Sequence, residues 1–155
     1  PVMRQPPSKS AQAGVALIEA MAAIFIFSTG VLAVIGMQAV SIRTAADAKY
    51  RADAAFLADQ LIGRMWADQG NLSRYITGAA NCTAGTAATY ANAATWLNTV
   101  ASTLPGAATT LQRVQVDTTG TPPINQVTVT VCWQTAPGAT TYHNHVITTR
   151  INNNG

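Results

Sequence analysis

Charge is what this sequence has least of. Asp, Glu, Lys and Arg make up only 10% of its 155 residues, against roughly 25% in an average soluble protein. The hydrophobic share is 48%, so Ala, Thr and Asn fill the gap. Acids are scarcest: of six, a single one, Glu19, is a glutamate. Paired glutamates for acid–base work are therefore absent, and such chemistry would rest on scattered aspartates. No Ser/His/Asp ordering and no Gly-rich phosphate loop is present. The residues argue against an enzyme and call for no cofactor. Two cysteines cannot by themselves complete a four-ligand zinc cluster. Two of the nine basic residues, Arg4 and Lys9, lie in an acid-free first stretch; from Val15 onward the balance is 7 against 6. The pI near 9.2 thus says little about the body, and no basic patch invites a nucleic acid. The apolar content excludes a disordered chain, and the length suits one compact domain.

What is present in abundance is one apolar run. Val15 to Met37 reads VALIEAMAAIFIFSTGVLAVIGM, 23 residues with one charge, Glu19. As a helix rising about 1.5 Å per residue it would span the roughly 30 Å hydrocarbon core of a bilayer. It exceeds the apolar region of about 7–15 residues in an ordinary secretory signal. A buried helix of a soluble domain is the alternative, but no flanking pattern supplies partners for a helix apolar all round. The preceding PVMRQPPSKSAQAG is polar and basic and ends in the small residues Ala13 and Gly14. A cut after Gly14 would leave the whole run on the mature chain, with its new N-terminus at Val15. Glu19 would then be the fifth residue. A carboxylate in a membrane segment costs on the order of 3 kcal/mol. The nearest group to offset it is the new α-amine of Val15; the plainer alternative is a charge snorkelling at the membrane edge.

Gly14-Val15-Ala16-Leu17-Ile18-Glu19, followed by about eighteen apolar residues, resembles the type III signal and N-terminal helix of type IV pilins and pseudopilins. The resemblance implies that prepilin peptidase cuts after Gly14 and methylates Val15, and that Glu19 is the assembly residue. Val15 stands where Phe or Met is commoner in that family. Tyr50–Met65 (YRADAAFLADQLIGRM) resembles the post-membrane helix of PilV-type minor pilins, and Val127–Gln134 with Pro137-Gly138 is similar to their late strand. Residues 70–125 match nothing useful. Together these stretches favour a minor over a major pilin. The resemblance implies a body in the periplasm, anchored in the inner membrane and later incorporated into the pilus fibre. It implies other minor and major pilins, prepilin peptidase and inner-membrane lipid as partners. Three rivals are weighed: a minor pseudopilin of a type II secretion system, a secreted protein with an ordinary signal ending near Ala39-Val40-Ser41, and an anchored periplasmic enzyme, which would need a polar cleft that the sequence does not show. Arg43, Lys49 and Arg51 follow the run, so the positive-inside count does not favour the leader side. The acid-free leader and the resemblance place the leader inside and the body outside.

Helical spacing continues beyond the run. Tyr50, Ala54, Leu57, Leu61 and Met65 form one stripe, with Lys49, Asp53 and Gln60 off it. One helix is expected from about Val15 to about Asp68, membrane-spanning over 15–37, with Gly30 and Gly36 as permissive points for bending and Gly70-Asn71 as the stop. Residues 71–88 read mainly as loop. Residues 91–100 read as a short helix with Trp96, Leu97 and Val100 inward, ended by Pro105-Gly106. Strands are expected at about 110–117, 125–134 and 142–151, the middle one alternating Val127, Val129, Val131 and Trp133 with polar residues. Gly120–Pro123 and Ala136–Gly138 mark turns, and short links favour antiparallel pairing. The expected class is α+β, pilin-like: leader 1–14, helix 15–69, globular region 70–155, the helix packed on a small antiparallel sheet. In an extracytoplasmic body Cys82 and Cys132 are expected to be bonded. A closed loop of about 50 residues would contribute roughly 4 kcal/mol. His143 and His145 share a strand face; without a third ligand nearby they are expected to be packing or surface residues rather than a metal site. Trp66, Trp96 and Trp133 are expected as core or interface anchors.

Overall fold

The computed structural model describes residues 12–119, 125–135 and 139–152. Leader residues 1–11 and the turns at Gly120–Pro123 and Ala136–Gly138 lie outside the described residues. The first element is one uninterrupted helix, α1, Gln12–Ala67. The chain divides into two units between Thr44 and Ala45, and α1 contributes to both.

In the first unit the large apolar side chains of α1 are exposed, from Val15 at 68% to Ile42 at 70%. Gly14–Ala67 is a helix long and apolar enough to cross a membrane. Its hydroxyls turn back on the helix. Ser28 Oγ donates to the Ile24 carbonyl at 2.7 Å, Thr29 Oγ1 to those of Phe25 and Ile26 at 3.1 and 2.9 Å, and Thr44 Oγ1 to that of Val40 at 3.0 Å. Such back-bonding leaves neither hydroxyl of the 15–37 run, Ser28 or Thr29, in need of water.

The second unit is α+β. After α1 come a 3-10 segment at Gln69–Tyr75, helix α2 at Ala91–Thr103 and a short 3-10 turn at Thr109–Leu111. Strands β1 (Arg113–Asp117), β2 (Gln126–Trp133) and β3 (His143–Arg150) follow. They form one antiparallel sheet with β2 central. Ala54, Leu57, Ala58, Leu61 and Met65 of α1 are buried in one cluster with Trp96, Leu97 and Val100 of α2 and Val114, Val127, Val129 and Val131 of the sheet. The stripe is therefore covered by α2 as well as by the strands. Trp96 is fully buried and donates its Nε1–H to the Leu57 carbonyl at 2.8 Å. Trp133 is also core, while Trp66 stays 44% exposed, so it is not a core anchor. His143 packs on Trp133, ring centroids 5.9 Å apart.

Several boundaries differ from the sequence expectation, for local reasons. The stretch 71–88 is not all loop. Its start coils as a 3-10 helix that buries Leu72 and Tyr75. Thr77 then forms a β-bridge to Val114. β1 starts at Arg113 rather than near 110, because residues 109–111 coil. α2 runs three residues beyond Val100, to Thr103.

Where the β1–β2 ladder ends, a side chain continues it. Gln112 is fully buried. Its Oε1 accepts the Cys132 N–H at 2.8 Å. Its Nε2 donates to the Cys132 and Ala108 carbonyls at 3.1 and 3.0 Å. The amide thus satisfies both backbone groups of a buried residue, which would otherwise be costly. Gly78, at φ +81°, closes over the same place; a Cβ there would overlap the Gln112 carbonyl oxygen. Gln112→Leu keeps the bulk but strands two buried backbone groups. It should lower stability by about 2–4 kcal/mol, read as a shift of the denaturant midpoint at unchanged slope.

Candidate functional site

Three places carry chemistry: the start of α1, the disulfide, and a carboxylate network at the end of α1. Gly14 lies in the first turn of α1. A Cβ added there meets nothing within 4 Å, so the packing of the described residues does not require glycine. Glycine costs a helix about 1 kcal/mol relative to alanine, and the first four N–H groups of any helix lack intrahelical acceptors. The Gly14–Val15 bond therefore sits where α1 opens most readily. Val15 and Glu19 are separated by four residues, one helical turn, and share a face. Glu19 is exposed, with Ala16, Ala20, Ala22 and Ala23 around it. Within one turn on its own face Val15 is the one branched side chain, and among the described residues no side chain bonds the carboxylate.

Cys82 and Cys132 are bonded, with Cα atoms 5.7 Å apart. With Leu111 they make a small buried cluster of their own. Asn81 and Cys82 have φ of +57° and +54°. That left-handed backbone suits Asn but costs a residue such as Cys on the order of 1 kcal/mol or more. Sulfur bonding to the end of β2 holds it there.

The carboxylate network joins residues that sequence reading does not connect. Asp68 accepts from Asn71 Nδ2 at 2.7 Å on one oxygen. On the other it accepts from the hydroxyls of Tyr75 (3.0 Å) and Tyr90 and from Asn92 Nδ2 (3.3 Å). The Tyr75 and Tyr90 rings meet edge to face at 5.0 Å. The Arg74 guanidinium lies 4.3 Å over the Tyr90 ring. Arg64, Ala67, Asp68, Tyr90 and Asn92 line a shallow hollow beside it. The hydrogen bonds from Asn71 and Tyr90 lead in holding the Asp68 carboxyl down at about 2. Burial, aided by Asp68, pushes the Tyr75 phenol up to about 12, against a lowering hydrogen bond from Asn92. Tyr90 is raised first by its bond to Asp68. A carboxylate with four donors and so low a pKa is a poor base. It acts as a tie between the end of α1, the 3-10 segment and the start of α2. The one available signal was two tyrosines flanking a loop, since phenols near a core need partners.

Among the described residues no group of three His, Cys, Asp or Glu could hold a metal ion. Comparison with models of protein families, with curated proteins and with solved structures returns no match to this chain.

Two outcomes follow. Asp68 is depressed in the folded state, so its stabilising effect is complete above its ordinary pKa of 3.8 and lost as pH falls toward about 2. Tyr75 is raised, so its effect is complete below 10.0 and lost as pH climbs toward about 12. Asp68→Ala should flatten the acid limb of a stability–pH curve; the slope that remains belongs partly to Asp117, held low by the Thr119 N–H. Separately, Cys132→Ser should lower stability by roughly 4 kcal/mol on the chain-entropy scale. A non-reducing mass two hydrogens below that of the reduced chain would verify the bond.

Proposed function

We propose that this chain is a minor pilin of a type IV pilus, PilV-like, made as a precursor and cut after Gly14 by prepilin peptidase. The observation that carries this reading is the arrangement at the start of α1. A run of exposed apolar side chains long enough for a bilayer holds one carboxylate, one turn from Val15. Its hydroxyls are satisfied by its own carbonyls. The carboxylate is the group the helix cannot satisfy.

On this reading the mature chain begins at an N-methylated Val15, lies in the inner membrane and holds its body in the periplasm. That compartment allows the Cys82–Cys132 bond to form and persist. The chain then joins other minor and major pilins to prime or cap the fibre, and its work is packing rather than catalysis. In a low-dielectric setting Glu19 interacts with an α-amine far more strongly than in water. The amine can be its own, or that of a neighbouring subunit. The second pairing would set the axial register of a helix leaving the bilayer, because an unpaired buried charge is costly.

Two substitutions test this. Gly14→Val should leave an uncleaved, membrane-held precursor; a normal-sized mature form would sink the processing site. Sequencing the mature N-terminus separates Val15 from Ile42, the start an ordinary signal would leave. Glu19→Ala should insert and be cleaved as before, while incorporation into pili falls sharply and Glu19→Asp is intermediate. Normal piliation by Glu19→Ala would return Glu19 to a tolerated charge at the membrane edge.

A further inference from the structure

The buried stripe of α1 leaves the opposite side of the helix bare. Ala45, Lys49, Ala52, Phe56, Asp59, Gly63 and Trp66 recur at alternating steps of four and three residues, so they lie along one face. All are exposed, Phe56 to 66%. The face presents one large knob, Phe56, and one notch, Gly63, seven residues further on. A Cβ at Gly63 would meet nothing within 4 Å. Packing within the chain therefore does not require glycine there, and glycine weakens the middle of a helix. The face also carries two charges of opposite sign, Lys49 and Asp59.

We infer that this face packs on the same face of a second copy of the chain, parallel to it and displaced by seven residues. The pairing rests on the anchored reading of α1: copies inserted into one membrane in one sense have parallel helices. When two parallel helices stand level, each residue of such a repeat faces its own equivalent. Level copies would set Lys49 against Lys49, Asp59 against Asp59 and Phe56 against Phe56, so like charges would meet twice. A shift of one repeat, about 10.5 Å along the axis, removes all three conflicts. Phe56 of one copy then drops into the notch at Gly63 of the other, with Trp66 as the wall beside it. Lys49 lies over the other copy's Phe56 ring and within reach of its Asp59, one turn further on. A shift of two repeats sets Lys49 on Gly63 and leaves Phe56 without a seat. Knob, notch and both charges thus complement one another at a single displacement. This favours a second copy over an unrelated partner, which would need a matching knob and cation of its own. Copies at one depth in a bilayer stand level, so the pairing forms once one helix has moved outward by that distance, or in detergent. One knob buries little beside a standard interface of about 800 Å² per partner, so the pair is concentration-dependent.

The test uses the full chain in detergent, with cysteines placed to report the displacement. The native pair is already bonded, so an added cysteine is the one free thiol. Ala45 and Ala52 lie seven residues apart on the face and supply neither knob, notch nor charge. In the shifted pair Ala45 of one copy stands against Ala52 of the other. Each then lies about 10.5 Å along the axis from its own equivalent, beyond disulfide reach. Under mild oxidation Ala45→Cys mixed with Ala52→Cys should give a covalent dimer, and either alone should stay monomeric. Gly63→Gln, added to both, fills the notch with a polar side chain and should cut the cross-linked fraction about tenfold or more. The unfolding midpoint should not fall, since glutamine suits an exposed helix better than glycine. Asp59→Lys should weaken the cross-link, and Lys49→Glu together with Asp59→Lys should restore it. Absence of the mixed dimer overturns the proposal. So do equal dimers from either variant alone, which report level pairing or collision, and so does an undiminished cross-link with Gly63→Gln. Membrane retention and a mature start at Val15 report the pilin reading separately. A chain that passes both and gives no mixed dimer overturns the pairing alone.

Discussion

Helix α2 is held to α1 at two points, and the body is built around that pair. Trp96 donates to the Leu57 carbonyl, an oxygen whose other lone pair serves the helix itself. Eleven residues further along α1, or about 16 Å, Asp68 binds Tyr90 and Asn92 at the other end of the contact. Two polar ties that far apart fix direction as well as distance. Ala54, Leu57, Ala58, Leu61 and Met65 of α1 share one buried cluster with Ala93, Trp96, Leu97 and Val100 of α2. Dispersion and apolar burial supply the energy there, while the hydrogen bonds choose the alignment. Alanine at 54, 58 and 93, each fully buried, marks where close approach matters more than bulk.

The sheet is joined by a second set of polar ties, and these make the ends of β2 unlike each other. Along most of its length β2 buries Val127, Val129 and Val131 on one face and leaves Thr128 and Thr130 half-buried on the other. At Cys132 and Trp133 both faces are buried. The polar-out rule fails there because a disulfide, a buried glutamine and an aromatic stack all converge on the same two residues. Such convergence makes this corner intolerant of change. The sulfur bridge, the left-handed backbone at Asn81 and Cys82 and the Gln112 amide each need the others in place.

How much of this was readable in the sequence depends on the range of the signal. The apolar run from Val15, the 3.6-residue stripe through Met65 and the period-two alternation around Val129 are local patterns, and the matching elements are present. The 3-10 segment at Gln69–Tyr75 was missed because glycine and asparagine there look like loop; it coils because Leu72 and Tyr75 can be buried by doing so. Gln112 and Asp68 carry no local pattern at all. A buried glutamine is recognisable only once the strand beside it runs out of backbone partners. A hydrogen-bonded aspartate is recognisable only once residues 68, 75 and 90 are neighbours. Of the two roles expected for Trp66, core or interface anchor, the core is excluded because its place on the helix falls beside the buried stripe.

Polar groups in the two units are satisfied by different means, and the difference bears on what α1 can do. In the body, Asp68, Gln112 and Trp96 find partners on other elements. In the first unit Ser28, Thr29 and Thr44 find them on the same helix, one turn back. Over residues 15–37 both hydroxyls are served in this way, which suits a hydrocarbon environment. Serine and threonine can be accommodated in this way because their hydroxyls donate to a carbonyl. A carboxylate cannot use a carbonyl, because both are acceptors. In hydrocarbon Glu19 would have to be neutralised, reach a headgroup region, or meet a donor: a cation, an amine, or the unpaired N–H groups of a helix start. Nearness to the start of α1 puts such donors within about one turn of Glu19, beside Gly14, a glycine for which the described packing gives no reason.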